Sequence, residues 1–231
     1  YAVNNDWNDE VGKDLIPRIY KYENDGSGWN IVWSAVLPAM GQNTWPALTY
    51  GDIDGDGNME IWWGPVNNSS QGDTVYSRII VFEEASGDTL GVPDGSGNFR
   101  PNATWTITDE ANYNLRPFRW FLNDVDNDGT TELVFGARAG AERFGVVSVD
   151  DIPDNGDSTE TWTMEESGLD TNLTIDGGTI YDLAIIDSTI YLIHSNGNIT
   201  PIMYANGSWS SGAVLTDAVP GGSWKSSSVV D

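Results

Sequence analysis

The 231-residue chain has no cysteine, a single histidine, 10 lysines and arginines against 35 aspartates and glutamates, and no apolar run of the roughly 20 residues that a membrane-spanning helix needs. Without cysteine there is no disulfide framework and no thiolate for catalysis or metal binding, and the redox compartment leaves no trace in cysteine pairing. His194 follows the apolar run Ile190-Tyr191-Leu192-Ile193, and no G-x-S-x-G elbow accompanies it, so it reads as a structural side chain and the chain as non-enzymatic. A net charge of −25 argues against nucleic acid and anionic membrane surfaces as partners. Helical periodicity is also missing. The apolar residues come in short aromatic and β-branched runs bounded by Gly, Asn and Asp, the pattern of an all-β protein. The chain opens on Tyr1 with neither an initiator methionine nor a signal-peptide pattern, as a processed secreted precursor or a segment of a longer protein would.

What the chain has in abundance is aspartate, in a recurring frame. Asp52-Ile53-Asp54-Gly55-Asp56-Gly57-Asn58-Met59-Glu60 returns as Asp124-Val125-Asp126-Asn127-Asp128-Gly129-Thr130-Thr131-Glu132, each copy followed by a short apolar run and a glycine. Three carboxylates at alternate positions, then a glycine and a glutamate three residues further on, let a short loop wrap oxygen ligands around one hard cation. Calcium suits it, because it accepts six to eight oxygens in flexible geometry. The expected ligands are the side chains of Asp52, Asp54 and Asp56, the backbone carbonyl of Asn58 and a bidentate Glu60. In the second loop they are Asp124, Asp126, Asp128, the carbonyl of Thr130 and Glu132. The EF-hand places its glutamate six residues after the glycine and flanks the loop with helices. Here strand-like runs flank it: Leu48-Thr49-Tyr50 and Ile61-Trp62-Trp63 in one copy, Phe121-Leu122 and Leu133-Val134-Phe135 in the other.

Alignment on the first loop aspartate brings out further copies. Around Asp187 both flanking strands persist (181–186 and 189–193), but the loop has shrunk to a tight turn without ligands. Near the N-terminus Asp6, Asn8, Glu10 and Asp14 keep the spacing of a weaker third site, with Val11 in the glycine position. Residues 224–230 read as the lead-in strand of a fifth copy, with Asp231 as its first ligand. After each hairpin comes another apolar block (18–23, 78–83, 144–149, 199–204), a polar turn and a strand carrying a tryptophan: Trp33, Trp105, Trp162 and Trp209. Four antiparallel strands per unit, radially repeated, make a β-propeller blade. The expectation is a single all-β domain over 1–231, with blades near 1–40, 41–112, 113–172 and 173–218 and the first strand of a fifth in 219–231. Calcium loops would join the first and second strands of blades.

The loop D-x-D-x-D-G-x-x-E between hydrophobic strands, once per four-stranded blade, resembles the FG-GAP and VCBS repeats of integrin α-subunit propellers and many secreted bacterial proteins. The resemblance covers essentially the whole chain and is intact at 52–60 and 124–132. It implies calcium on the rim of the blades in a structural role, and propellers of about seven blades, more than this chain holds.

The four tryptophans at one repeat position read as packing residues. Trp62 and Trp63 are adjacent on one strand and so face opposite sides, which would leave one of them free to contact a sugar or a partner; Trp7 and Trp45 join them as candidates. Six N-x-S/T sequons begin at Asn67, Asn68, Asn102, Asn172, Asn198 and Asn206. Asp150, Asp151 and Asp154 lack the loop spacing and read as a solvated turn, while Arg138 and Arg143 would pair with nearby acids. Extracellular calcium modules bind as weakly as about 10⁻⁴ to 10⁻³ M, so calcium loops of this kind fit a secreted or cell-surface location. The expected function is a calcium-stabilised structural, adhesion or self-assembling module, capable of forming filaments through blade edges or its terminal strand. Two alternatives are a carbohydrate-binding, lectin-like propeller and an accessory propeller of a polysaccharide-degrading enzyme.

Overall fold

A computed structural model describes residues 1–6, 16–36, 47–64, 77–85, 87–106, 119–136, 144–168 and 172–219. Every regular element among them is a β-strand. The chain divides into two units, one formed by Tyr1–Thr108 with Asp150–Thr161, the other by Asp109–Val149 with Trp162–Asp231.

In the first unit β1 (Ala2–Asp6), β2 (Ile16–Asn24) and β3 (Trp29–Val36) make a three-stranded antiparallel sheet in the order β1-β2-β3. A four-stranded antiparallel sheet, β4-β5-β6-β9, follows from β4 (Ala47–Gly51), β5 (Glu60–Gly64), β6 (Ser77–Glu83) and β9 (Ala103–Thr106). Between β6 and β9 the chain inserts a small ribbon, β7 (Val92–Pro93) and β8 (Phe99–Arg100). One core joins the two sheets: Ile19, Trp33 and Ala35 from the first meet Ile61, Trp63, Ile80 and Phe82 from the second, together with Leu90 from the connection after β6. The Trp33 and Phe82 rings meet edge to face, centroids 5.5 Å apart, a favoured aromatic geometry.

The second unit holds two four-stranded antiparallel sheets. One is β10 (Trp120–Asn123), β11 (Glu132–Gly136), β12 (Phe144–Val149) and β13 (Trp162–Ser167). The other is β14 (Ile180–Ile186), β15 (Thr189–His194), β16 (Ile199–Ala205) and β17 (Ser208–Ser211). Val134, Phe144 and Val146 pack against Ile180, Leu183, Ile190, Leu192 and Ile202. Gly145 lies opposite Phe135 across β11 and β12, and a Cβ there would strike the Phe135 ring, so only glycine leaves room for it.

The four tryptophans of the repeat fall on the last strand of each sheet: Trp33 on β3, Trp105 on β9, Trp162 on β13 and Trp209 on β17. Trp33 is buried and the other three are half-buried. The collapsed copy around Asp187 is a two-residue hairpin turn in which Asp187 and Ser188 have φ of 47° and 60°, the type I′ signature. The unit pattern departs from expectation at two places. The first sheet has three strands among the described residues, because the nine-residue β2 pairs directly with β1 and occupies the second position, where the repeat predicts a third strand. The turn expected between β6 and β9 instead contains the β7–β8 ribbon.

Candidate metal centres

Each acidic loop spans two neighbouring strands, β4 to β5 and β10 to β11, whose registers close with Gly51 opposite Glu60 and Asn123 opposite Glu132. The strands hold the two ends of the loop together, and the loop folds around its own carboxylates. In the first, Asp52 accepts the N–H groups of Gly55 (2.7 Å) and Gly57 (3.2 Å), Asp54 that of Asp56 (3.2 Å) and Asp56 that of Asn58 (2.6 Å). In the second, Asp124 accepts from Asp128 (3.2 Å) and Gly129 (3.1 Å), Asp126 from Asp128 (3.0 Å) and Asp128 from Thr130 (2.7 Å). Matching positions take left-handed backbone: Gly55 and Gly57 at φ 77° and 94°, Asn127 and Gly129 at 62° and 96°. Asparagine is one of the few non-glycine residues that tolerate this conformation, which explains Asn127 where the first loop has Gly55.

The glutamates close the sites from beneath. Glu60 and Glu132 begin their strands fully buried, and each accepts one backbone N–H on Oε2, from Ile53 at 2.8 Å and Val125 at 2.9 Å. Ile53 and Val125 are themselves buried, so the second loop residue plugs each loop into the core. Among the described residues, the other carboxylate oxygen, Oε1 of both Glu60 and Glu132, has no hydrogen-bond partner. Carboxylate oxygens of Asp52, Asp54, Asp56 and Glu60 lie within 4.8 Å of one another, as do those of Asp124, Asp126, Asp128 and Glu132. Burial pushes the Glu60 carboxyl up to about 8, with Asp54 and Asp52 pushing the same way; burial likewise carries Glu132 to about 8, helped by Glu165, Asp126 and Asp124. Among the described residues no lysine or arginine pairs with a loop carboxylate. A buried carboxylate with a bare oxygen beside three more carboxylates is a donor set for a hard cation. The two D-x-D-x-D-x-x-x-E clusters could therefore bind a metal such as calcium.

Other sequence candidates fare differently. Trp62 and Trp63 are both fully buried, because all five residues of β5 are covered on both faces, so neither offers a surface to a sugar or partner. Asn102 is also buried. Its Oδ1 accepts the Glu83 N–H at 2.9 Å and its Nδ2 donates to the Pro153 carbonyl at 3.1 Å, which removes it as a glycosylation acceptor in the folded chain. His194 is buried, with Nδ1 3.0 Å from the Gly178 carbonyl and Nε2 2.8 Å from Thr200 Oγ1, contacts that fix the ring between β16 and the segment leading into β14. Trp7, Asn8, Glu10, Asp14, Trp45, Asn67, Asn68, Arg138, Arg143 and residues 220–231 lie outside the described residues, and of Asp6 only the strand position is described.

Two acidic features were not legible as sites. Glu165 bulges out of the β12–β13 ladder, between Met164 and Glu166, and adds negative charge near Asp126, Asp128 and Asp124. Asp154, assigned to a solvated turn, is exposed and does sit in one, with Gly156 N–H bonded to the Pro153 carbonyl, but the turn places its carboxylate with those of Glu83 and Asp56 in a third acidic cluster. Their 71-residue separation hid that pairing. The one signal was an acidic residue, Glu83, closing the apolar run Ile79-Ile80-Val81-Phe82. A scan of protein-family models and searches of curated proteins and of solved structures return no match to this chain.

Proposed function

We propose that this protein is a calcium-stabilised, non-catalytic β-propeller module of the FG-GAP/VCBS type that works outside the cell in adhesion or self-assembly. The observation that carries the calcium reading is the pair of buried, unpartnered glutamate oxygens, Oε1 of Glu60 and of Glu132, each set under three loop aspartates. Leaving a buried charged oxygen unsatisfied costs on the order of several kcal/mol, and a divalent cation offsets that cost at both loops at once. Calcium would take Asp52, Asp54, Asp56, the Asn58 carbonyl and Glu60 in one loop, and Asp124, Asp126, Asp128, the Thr130 carbonyl and Glu132 in the other. It would hold each β-hairpin closed, a structural task suited to a calcium-rich exterior. Calorimetric titration with calcium should show binding that Asp54→Ala and Asp126→Ala each reduce by one equivalent. A flat titration of the chelator-treated protein would defeat the reading.

The assembly part is supported by β3. Among the described residues it is an edge strand whose first half is bare, with Trp29 71% and Ile31 53% exposed, while Asn98 caps its other end by accepting the Val36 N–H and donating to the Val36 carbonyl. An exposed edge with apolar side chains is a template for strand addition by a second chain. Sedimentation in calcium buffer should show oligomers that Ile31→Lys shifts to monomer. A wild-type protein that stays monomeric at high concentration would remove self-assembly and leave adhesion to another partner.

A further inference from the structure

The first loop has a buried acidic neighbour that the second lacks, since Glu165 beside the second loop is only half-buried and joins no three-carboxylate cluster among the described residues. Glu83 ends β6 directly opposite Glu60, so two buried glutamates face each other across one antiparallel pair. Like charges opposite each other destabilise a sheet, and burial makes the conflict worse. In the other unit Leu133 pairs with Val147 as Ile61 pairs with Phe82, and the next residue on β12 is Ser148, a hydroxyl where the first unit has Glu83. The glutamate is thus particular to the first unit and is not demanded by the loop.

Glu83 is 2% exposed, and among the described residues its Oε1 has no N–H or hydroxyl donor, only the Asp154 carboxyl beside the side chain. Its Oε2 is 3.3 Å from the Asn102 Nδ2 that donates to it. The carboxylate lines a cleft of about 390 Å³ whose other walls are Asn58, Glu84, Ala85, Asn102 and Asp154. Oxygens of Asp56, Glu83 and Asp154 come within 4.8 Å of one another there. The Asp154 turn is held in place from three sides. The Ile152 N–H donates to Asp54 Oδ2 at 2.8 Å, the Arg100 guanidinium donates to the carbonyls of Asn155 and Gly156 at 2.7 Å each, and Asn102 Nδ2 donates to the carbonyls of Pro153 and Asp154. Arg100 thus spends its charge on backbone carbonyls behind the turn, leaving the carboxylates facing one another.

We propose that Asp56, Glu83 and Asp154 form a further divalent-cation site in which Asp56 bridges to the cation of the first loop, giving the first unit a paired-cation centre and the second a single one. The donors are all oxygen, the choice of calcium or magnesium over softer metals. Six carboxylates meet in this patch, Asp52, Asp54, Asp56, Glu60, Glu83 and Asp154, so one divalent cation leaves four negative charges and a second leaves two. The second cation relieves the Glu60–Glu83 opposition and adds a further tie between the Asp150–Thr161 segment and the loop beside the Ile152–Asp54 hydrogen bond.

This inference rests on the calcium reading of the loops, and its test separates the two. Chelator-treated wild-type protein, Asp154→Asn and Glu83→Gln are titrated with calcium in a calorimeter, with Asp126→Ala as a reference for the other unit. The expected result is that Asp154→Asn and Glu83→Gln each bind one equivalent fewer than wild type while keeping the equivalents of both loops. Equal stoichiometry in wild type and Asp154→Asn, with Asp126→Ala still losing one equivalent, would overturn the paired centre and leave the loops standing. Absence of any calcium heat would bring down both. Asp154 is exposed, so its variant folds whether or not Glu83→Gln does, and a shared proton between Glu83 and Asp154 would leave the stoichiometry unchanged.

Discussion

At pH 8, stripping divalent cations with a chelator is expected to lower the melting temperature by roughly 10 °C or more, and at pH 5 by much less. A site held at about a hundredfold excess over its dissociation constant contributes about 2.7 kcal/mol, and each of the two units carries one intact loop. For a unit of this size 1 kcal/mol moves the midpoint by several degrees. The pH dependence comes from Glu60, Glu132 and Glu83, which burial holds at about 8 in the metal-free fold against an ordinary 4.5. Well below pH 4.5 all three are protonated, folded or unfolded, and they cost the metal-free fold nothing. Between 4.5 and 8 the unfolded chain releases these protons while the fold retains them, so stability falls as pH rises and is lowest once the fold too must ionise. Calcium reverses this by taking the ionised carboxylates as ligands and expelling their protons. The carboxyls that the fold holds low, such as Asp25, Asp94 and Asp157, lose their contribution only as pH drops through the acid range, outside this window. Thermal melts at pH 5 and pH 8, with calcium and with chelator, check it. A chelator effect of equal size at both pH values would show that the buried glutamates are not its source.

The loops were legible because everything they need is local. Spacing sets which carboxylates converge, Gly57 and Gly129 mark the left-handed bend, and the flanking apolar runs name the strands. The hairpin at Asp187 and the outer position of the four tryptophans were legible for the same reason, as each depends on neighbours in sequence. The buried tryptophan pair was misread although its signal was present. Glu60-Ile61-Trp62-Trp63-Gly64 does not alternate between apolar and polar, and an unbroken apolar run marks a strand covered on both faces. Alternation of direction along a strand says that Trp62 and Trp63 part ways, and says nothing of whether water waits on either side.

What escaped the sequence needed tertiary register. Glu83 meets Glu60 only once β5 and β6 are aligned, and Asp154 reaches them only because the β12–β13 connection, Asp150–Thr161, packs with the first unit. Asn102 looks like a sequon and acts as a clamp, because its side chain bonds β6 on one side and the Pro153–Asp154 backbone on the other. The three-stranded first sheet had no local signature, since Arg18–Glu23 is equally apolar in the second or third position of a sheet.

Replacing the buried glutamate by its neutral isostere should change sign with the buffer. In chelator at pH 8, Glu60→Gln is expected to raise the melting temperature, because the variant has no carboxyl to hold protonated or to ionise in the core. Each pK unit is worth about 1.4 kcal/mol, so a carboxyl displaced from 4.5 to about 8 costs the fold on the order of a few kcal/mol, which the amide avoids. The amide oxygen can still accept the Ile53 N–H, and its NH₂ can donate towards Asp52 and Asp54, which the carboxylate could only repel. In calcium the order reverses. The amide offers one neutral oxygen where the carboxylate offers two charged ones, so affinity should fall roughly tenfold or more and the calcium-loaded melting temperature should fall with it. Glu132→Gln should behave in the same way, its Val125 N–H bond being the counterpart of the Ile53 bond. Wild-type and variant stability curves against free calcium should therefore cross. If glutamine is destabilising in both buffers, Glu60 is held by packing and its bare oxygen is not reserved for a cation. A crossing shows instead that the core tolerates this carboxylate only because a cation completes it.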